Sequence, residues 1–391
     1  MAASERLKIA IVGGGLAGAL SARVLREKHD VTIYERSKAV SEVGAAINIG
    51  PNGVKILESL GFDRSRVGSL PAGRTKTWDK EGNMMLDTVL QCHKEFGADW
   101  LFNHRADLRD EFLRLAIAED DSLPGCHSKI HIGTEVTNVD VQAAKLKLAN
   151  GDEVEADLII AADGIKSKIR PLVVGEEALN TARPSGLSAF RFAMGLEKVR
   201  EIFGDTPDIL DRSQTACLYV IFSYDGTKRS VVMYPCRNFE LLNFVCIVPD
   251  DSLKTLTTES WTASGDRDEL LSLFYQDPLP TYVCGRTVLI GDAAHAMTPH
   301  QGQGGTQAVE DAEGFRLFLT ENITSADVPG ILKNYDSVRR PRASQIQVNT
   351  RKATEQKSPQ EVYSFTKYNW TYPGIIEGLN RVRSGEVLIQ F

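Results

Sequence analysis

Near the amino end, apolar residues come in short unbroken runs. Ile9-Ala-Ile-Val12 passes straight into Gly13-Gly-Gly15, and Val31-Thr-Ile-Tyr34 ends at Glu35. Runs of this length predict strands, with an amphipathic helix between them reaching about Lys28. A glycine-rich loop, Gly44 to Gly53, then leads into a helix over Val54–Leu60. Residues 74–90 read as short strand pieces around the turn Glu81-Gly-Asn83. From Arg105 to Glu119 charge alternates while Leu108, Phe112, Leu115 and Ala116 recur at helical spacing. Residues 129–155 predict a β-meander with a hairpin turn at Asn150-Gly-Asp152, and Asp157 to Asp163 a buried strand followed by a short helix.

The pattern then changes. Between about 183 and 282, aromatic and β-branched runs dominate: Leu187–Phe192, Cys217–Tyr224, Ser230–Tyr234 and Leu241–Val248. They predict an antiparallel sheet, closed by a helix at Arg267–Tyr275. Arg286 to Asp292 returns as a strand of the first unit, and helical stretches follow at about 305–320 and 328–355. The expected organisation is an α/β chain. A discontinuous nucleotide-binding domain takes residues 1–74, 101–182 and 283–350. An inserted β-sheet domain takes 75–100 and 183–282, and a helical segment takes 351–391.

Two glycine-rich turns carry the candidate chemistry. Gly13, Gly15 and Gly18 lie between a strand and a helix, where backbone N–H groups can approach a pyrophosphate. Glu35, at the end of the second strand, can accept the hydroxyls of an adenine ribose, and Arg36 beside it is counted among the cofactor-binding residues. This pairing does not separate NAD from FAD. A second strand-to-helix junction, Gly291-Asp-Ala-Ala-His-Ala-Met-Thr-Pro299 with glycines at 302, 304 and 305, favours FAD. There Asp292 can bind ribityl hydroxyls, and the N–H groups around Gly304 and Gly305 favour negative charge on a reduced ring. Asp163-Gly164 sits at a third such junction, where it can also serve as a plain helix cap.

Composition narrows the function classes. With 45 basic and 52 acidic side chains in 391 residues, the net charge of −7 gives no footprint for nucleic acid. The six cysteines are scattered without metal spacing, which reads as reduced thiols and no metal site. No apolar run reaches the ~18 residues of a membrane span. The first strand follows the amino end too closely for a cleavable leader, so the expected compartment is the cytoplasm. Oligomeric state is not legible.

Together these segments resemble the single-component (class A) FAD-dependent aromatic hydroxylases, such as para-hydroxybenzoate and salicylate hydroxylases. The matching pieces are Gly13–Gly18 with Glu35, Asp157–Arg170 and Gly291–Ala312. A fourth is His104-Arg-Ala-Asp-Leu108, whose Arg105 reaches the cofactor in that family. The resemblance implies a Rossmann-like FAD-binding domain of the para-hydroxybenzoate hydroxylase type, an inserted antiparallel-sheet substrate domain and C-terminal helices. It implies that Asp163 serves both FAD and a transient NADH or NADPH. The loop Gly44–Asn52 then runs beside the flavin, with a backbone contact at Ala46, where many relatives carry glycine. Arg191 and Tyr234 are the implied catalytic residues, on the strands that floor the pocket. Asn48, Ser230 and Pro299 are substrate-pocket candidates; Ser230 stands where many relatives place a histidine. His295 reads as a packing and capping residue, while His300 either borders the pocket or faces solvent.

The implied reaction is hydroxylation of a phenolic small molecule with NAD(P)H and O2 through a flavin C4a-hydroperoxide. It is decarboxylative for salicylate-type substrates and simple for a secondary-metabolite phenol. Two alternatives stay open. One is a flavin oxidase or halogenase on the same fold, although the four tryptophans (78, 100, 261 and 370) form no Trp-x-Trp pair. The other is a non-catalytic FAD- or NAD-binding redox sensor.

Overall fold

A parallel sheet accounts for the short apolar runs, because its strands are covered by helices on both faces. The computed structural model describes residues 6–38, 46–175, 182–204, 207–252, 271–352 and 359–386. Its first sheet contains β1 (Lys8–Val12), β2 (Asp30–Glu35), β7 (Lys129–Ile132), β11 (Leu158–Ala161), β17 (Val283–Cys284) and β18 (Thr287–Leu289). Their order is β17-β18-β11-β1-β2-β7. All neighbours are parallel except the β17–β18 pair. The chain passes from β1 to β2 on one side, while β11 flanks β1 on the other. The strand order therefore reverses at β1, and the crevice beyond the carboxyl ends there is the default ligand position in such sheets.

The helices Leu16–Leu25, Arg105–Ile117 and Gly304–Gly314 pack together over one face of this sheet. Leu16–Leu25 is buried along nearly its whole length. It ends before the expected Lys28, where Arg26 turns away to donate to the carbonyls of Leu115 (3.0 Å) and Ala116 (3.2 Å) at the end of the neighbouring helix. Orphan carbonyls of one helix thus receive the charge of another.

The second sheet has nine strands. Its members are β3 (Ala46–Ile49), β4 (Leu70–Asp79), β5 (Met84–Val89), β6 (Leu101–His104), β12 (Ala182–Gly195), β13 (Ala216–Phe222), β14 (Ser230–Cys236), β15 (Leu241–Pro249) and β16 (Leu271–Gln276). The order is β16-β12-β15-β14-β13-β4-β6-β3, with β5 on β4. One pairing, β13 with β4, is parallel. β3 and β6 lie in chain segments that surround the nucleotide motifs, yet they hydrogen-bond into this sheet and bring it under the cofactor crevice.

Two expectations need correction. Only residues 136–155 form a meander, of β8 (Val136–Asp140), β9 (Lys145–Leu148) and β10 (Glu153–Glu155). Residues 129–132 instead extend the first sheet alongside β2, because the edge of β2 needs a partner for its backbone groups. The helix expected over 267–275 is replaced, at 271–276, by strand β16; residues 267–270 lie outside the described set. The 14-residue β12 runs past the end of β15, and β16 satisfies the backbone that would otherwise be left open. The long helix Val328–Lys352 follows the predicted one, while 353–355 fall outside the described residues.

Candidate active site

The crevice is built from four turns at the carboxyl edge of the first sheet. After β1, Gly13 adopts φ +106°, and a Cβ there would stand 2.3 Å from the Ala162 carbonyl oxygen at the end of β11. A Cβ on Gly18 would fall 2.0 Å from the Gly13 carbonyl oxygen, so helix and turn touch through bare backbone. Gly15, by contrast, has nothing within 4 Å on its Cβ side. Glu35 accepts the N–H groups of Gly14 and Ser37, each at 2.7 Å, which points its carboxylate at the glycine turn. Arg36 is exposed beside it.

The other two turns meet these. Asp163 uses Oδ2 to accept the N–H of Lys168 (2.8 Å) and Ile169 (3.3 Å), which is the capping role, while its Oδ1 is buried with no protein partner. Arg170 donates to the carbonyls of Ile165 (3.0 Å), Asp292 (2.8 Å) and Ala293 (2.7 Å), joining the second and third motifs. A Cβ on Gly291 would stand 3.0 Å from Ala17 Cβ in the first helix. The early and late glycine motifs therefore face one cleft.

Beneath Gly291, Asp311 is fully buried. It accepts the Gly291 N–H (2.8 Å), lies 2.6 Å from His295 Nε2 and accepts Arg339 Nε (3.0 Å). Burial pushes its carboxyl up, but His295 and Arg339 pull harder and hold it at about 2. His295 is thus a buried packing residue paired with Asp311, and it makes no capping contact. Glu310, next along, joins Arg339 and Arg342 in the same buried network.

The cleft fits an extended dinucleotide. Gly15, Gly164 and Gly304 present open backbone, and the orphaned Asp163 Oδ1 awaits a donor. Gly305 is different: its Cβ side is filled by Ile47, 2.6 Å away, which locks the β3 strand against the helix N-terminus.

The second sheet supplies the floor. Register places Arg191 opposite Val245, which faces Val232 on the next strand, and Ala193 opposite Asn243, which faces Tyr234, so these residues share one face. Tyr234 is 5% exposed, and burial raises its phenol well above the ordinary range, with Arg191 and Asn48 pulling the other way. Burial lowers the Arg191 guanidinium; Tyr234 and Asp292 oppose this, and Arg105 reinforces it. Its Nε is enclosed, although the side chain as a whole keeps partial access to the cleft. Arg105 opens the helix Arg105–Ile117, at the cleft side of that floor.

Asn48 receives the Trp100 indole N–H at 3.1 Å and abuts Gly302, where a Cβ would come within 2.6 Å of its amide. Ala46 donates its N–H to Asn243 Oδ1 (3.0 Å), which ties this strand to the floor; Gly44 and Ala45 lie outside the described residues. Pro299 and His300 occupy a single 3-10 turn, Pro299–Gln301. Burial, then Arg191 and Lys228, push the His300 imidazole down to about 4. His300 is half-buried and close enough to Arg191 to feel its charge. Ser230 lies on the Tyr234 face of β14 but four residues away, roughly 14 Å at 3.4 Å per residue.

Four contributors had no role of their own in the sequence. Arg109, one helical turn past Arg105, donates to the Gly14 carbonyl at 3.0 Å. Asn243 is a fully buried amide on a strand, and such an inward polar residue was the available signal. Asp311 and Glu310 lacked a local signal, because their partners come from a helix 28 to 32 residues away.

Among the described residues no group of His, Cys, Asp or Glu could hold a metal ion, and no helix is long and apolar enough to cross a membrane. The family described as FAD binding domain matches residues 6–185 and 276–350. The chain is 32% identical over 381 residues to an FAD-dependent monooxygenase of Nectria sp., covering 90% of this chain and 86% of that protein. It is 30% identical over 388 residues to a salicylate hydroxylase of Pseudomonas putida, covering 87% and 84%. A solved salicylate hydroxylase–substrate complex superposes with a TM-score of 0.68 at 25% identity, covering 96% of this chain and 97% of that one.

Proposed function

This chain belongs to the class A FAD-dependent aromatic hydroxylases that share the FAD binding domain, and from that premise we propose that its substrate is a phenol seated on Arg191 and Tyr234. The enzyme is an NAD(P)H- and O2-dependent aromatic monooxygenase. Gly13–Gly18 and Glu35 would hold the adenosine and pyrophosphate end of FAD, and Asp163, Asp292 and the Gly304 turn its flavin end. When bound, FAD takes the hydride from NAD(P)H and activates O2 for insertion into the ring.

The protein does the rest. The observation that carries this reading is geometric: Arg191 and the buried Tyr234 share one face of the second sheet, with Arg105 and Asp292, from two other chain segments, close enough to act on the same guanidinium. A phenol is attacked by electrophilic oxygen ortho or para to its hydroxyl, and faster as phenolate. Arg191 stabilises the phenolate charge, and the Tyr234 hydroxyl donates to the same oxygen. Burial keeps Tyr234 protonated throughout the neutral range, so it acts as a donor there. His300 is neutral at neutral pH, so it adds no second positive charge beside Arg191 and can accept a hydrogen bond there. The buried faces of β12, β14 and β15 exclude water from the reacting ring.

The reading is tested by purifying the protein and assaying phenols by coupled O2 uptake and product mass. A yellow protein whose NAD(P)H oxidation accelerates with a phenol, giving a product one oxygen heavier (or with a ring carboxylate replaced by hydroxyl and CO2 released), supports it. A colourless protein, or a yellow one indifferent to every phenol, supports the redox-sensor alternative. Tyr234→Phe should retain FAD and lose roughly 10- to 100-fold in hydroxylation; unchanged turnover would remove Tyr234 from the site. Asp292→Ala should come off a desalting column with less flavin than wild type, and full yellow colour would contradict its ribityl role. Because His300 is held at about 4 rather than near 6.5, the acidic limb of the pH–rate profile should fall near pH 4 and vanish in His300→Gln. A limb centred near 6.5 would show that another group controls it.

A further inference from the structure

We infer that the end of the C-terminal helix Pro359–Trp370 is the outer wall of the substrate pocket, and that Trp370 with Trp100 sets the largest aromatic substrate the pocket accepts. This rests on the hydroxylase reading above. The two tryptophans, 270 positions apart in sequence, are brought together with ring centroids 5.5 Å apart. Phe96 packs edge-on to Trp370 at 5.1 Å. From Trp100 the aromatic contact continues inward to Phe102 (5.2 Å) and from Phe102 to Tyr234 (4.7 Å). A continuous ring-to-ring path therefore runs from the proposed catalytic phenol to the C-terminal helix.

Polar contacts tie the same wall to the pocket. The Trp100 indole N–H donates to Asn48 Oδ1 at 3.1 Å, and Asn48 in turn faces Tyr234. Asn369, the residue before Trp370, donates to Gln301 Oε1 (3.2 Å) in the turn that carries Pro299 and His300. Trp370 also rests on Gly50, at the end of the β3 strand: a Cβ there would be 2.8 Å from its indole nitrogen. One helix end thus touches both the Asn48 side and the His300 side of the pocket.

The wall is held firmly. Arg342 donates to the carbonyls of Tyr368 (3.1 Å) and Asn369 (2.9 Å), and its guanidinium is fixed by buried Glu310 at 2.6 and 2.7 Å. Glu310 lies in the helix Gly304–Gly314, whose N-terminus faces the flavin end of the cleft. Trp100 and Trp370 both stay half-buried, offering flat faces against which a further fused ring can stack. A fixed aromatic wall of this kind limits length, since the helix end that carries Trp370 cannot shift outward without breaking the Arg342 contacts.

The experiment uses holoenzyme and three probes of increasing size: salicylate, 1-hydroxy-2-naphthoate and a three-ring hydroxyanthracene carboxylate. Wild type, Trp370→Phe, Trp370→Leu and Trp370→Ala are compared by kcat/KM, with bound FAD measured from visible absorbance. The ratio of the three-ring to the one-ring kcat/KM should rise in the order Phe, Leu, Ala, reaching at least tenfold in Trp370→Ala, mostly through KM. Bound FAD should stay at the wild-type level. Should Trp370→Ala fail to fold, the Phe-to-Leu step reads the same trend, and perturbation of the flavin spectrum by each probe reads it without turnover. Ratios within twofold of wild type across the series, with all three probes oxidised, overturn the wall while leaving the hydroxylase reading intact. Failure of wild type to respond to any phenol overturns that reading and this inference with it.

Discussion

Asn in place of Asp311 is expected to cost about 3–5 kcal/mol, the range for breaking a buried charge pair by altering one partner. The side chain is fully buried and satisfies three donors: the Gly291 N–H, His295 Nε2 and Arg339 Nε. An amide supplies only one acceptor oxygen, so whichever way it turns, an NH2 faces a donor. With an unfolding entropy of about 2.1 cal/mol/K per residue over 391 residues, the melting temperature should drop roughly 4–6 °C. The effect has a pH signature. Asp311 is held below its unfolded value, so its contribution is complete above about pH 4 and is lost as pH falls toward 2. The difference in Tm between wild type and Asp311→Asn should therefore be widest at neutral pH and narrow below pH 4. A constant difference from pH 7 to pH 3 would show that the carboxylate charge contributes nothing.

A second large effect belongs to the opening turn. In Gly13→Ala the new methyl would stand 2.3 Å from the Ala162 carbonyl oxygen, on a residue at φ +106°. Left-handed strain of about 1–2 kcal/mol adds to about 1–3 kcal/mol of overpacking. Relief requires β1 and β11 to separate at the point where the pyrophosphate would sit. FAD affinity should fall at least a hundredfold together with Tm. Gly15→Ala is the control, since its Cβ side is open and its backbone is ordinary. That variant should keep the wild-type Tm in the FAD-free state and still bind FAD weakly, because the methyl enters the space reserved for the dinucleotide. Differential scanning of FAD-free protein and flavin titration separate the two. Equal FAD affinity in Gly15→Ala and wild type would place the dinucleotide elsewhere.

Much of the nucleotide unit was legible because its information is local. A buried parallel strand, a glycine turn and a helix follow one another within Lys8–Leu25, so period and turn residues report them directly. The same holds for Glu35, Asp163 and Asp292, each at the end of an apolar run. The strand at 271–276 was misread as helix because the reason for it is the open edge of β12, which lies more than 70 residues earlier. Strand β7 was assigned to the wrong sheet for a similar reason: its partner, β2, is remote. The four tryptophans looked isolated along the chain, and only packing joined Trp100 to Trp370.

By itself the sequence determined the family, the fold class and the ends of the strands where a dinucleotide can be held. Those follow from hydrophobic period and from glycine's lack of a side chain, both of which act within a few residues. The tertiary structure decided which side chains share a pocket and how each ionises. It brought Arg191, Tyr234 and Asn243 to one face, set His300 in a turn within reach of the Arg191 charge, and buried Asp311 beneath Gly291. Burial and the approach of remote charges set those properties, and neither exists until distant segments have packed.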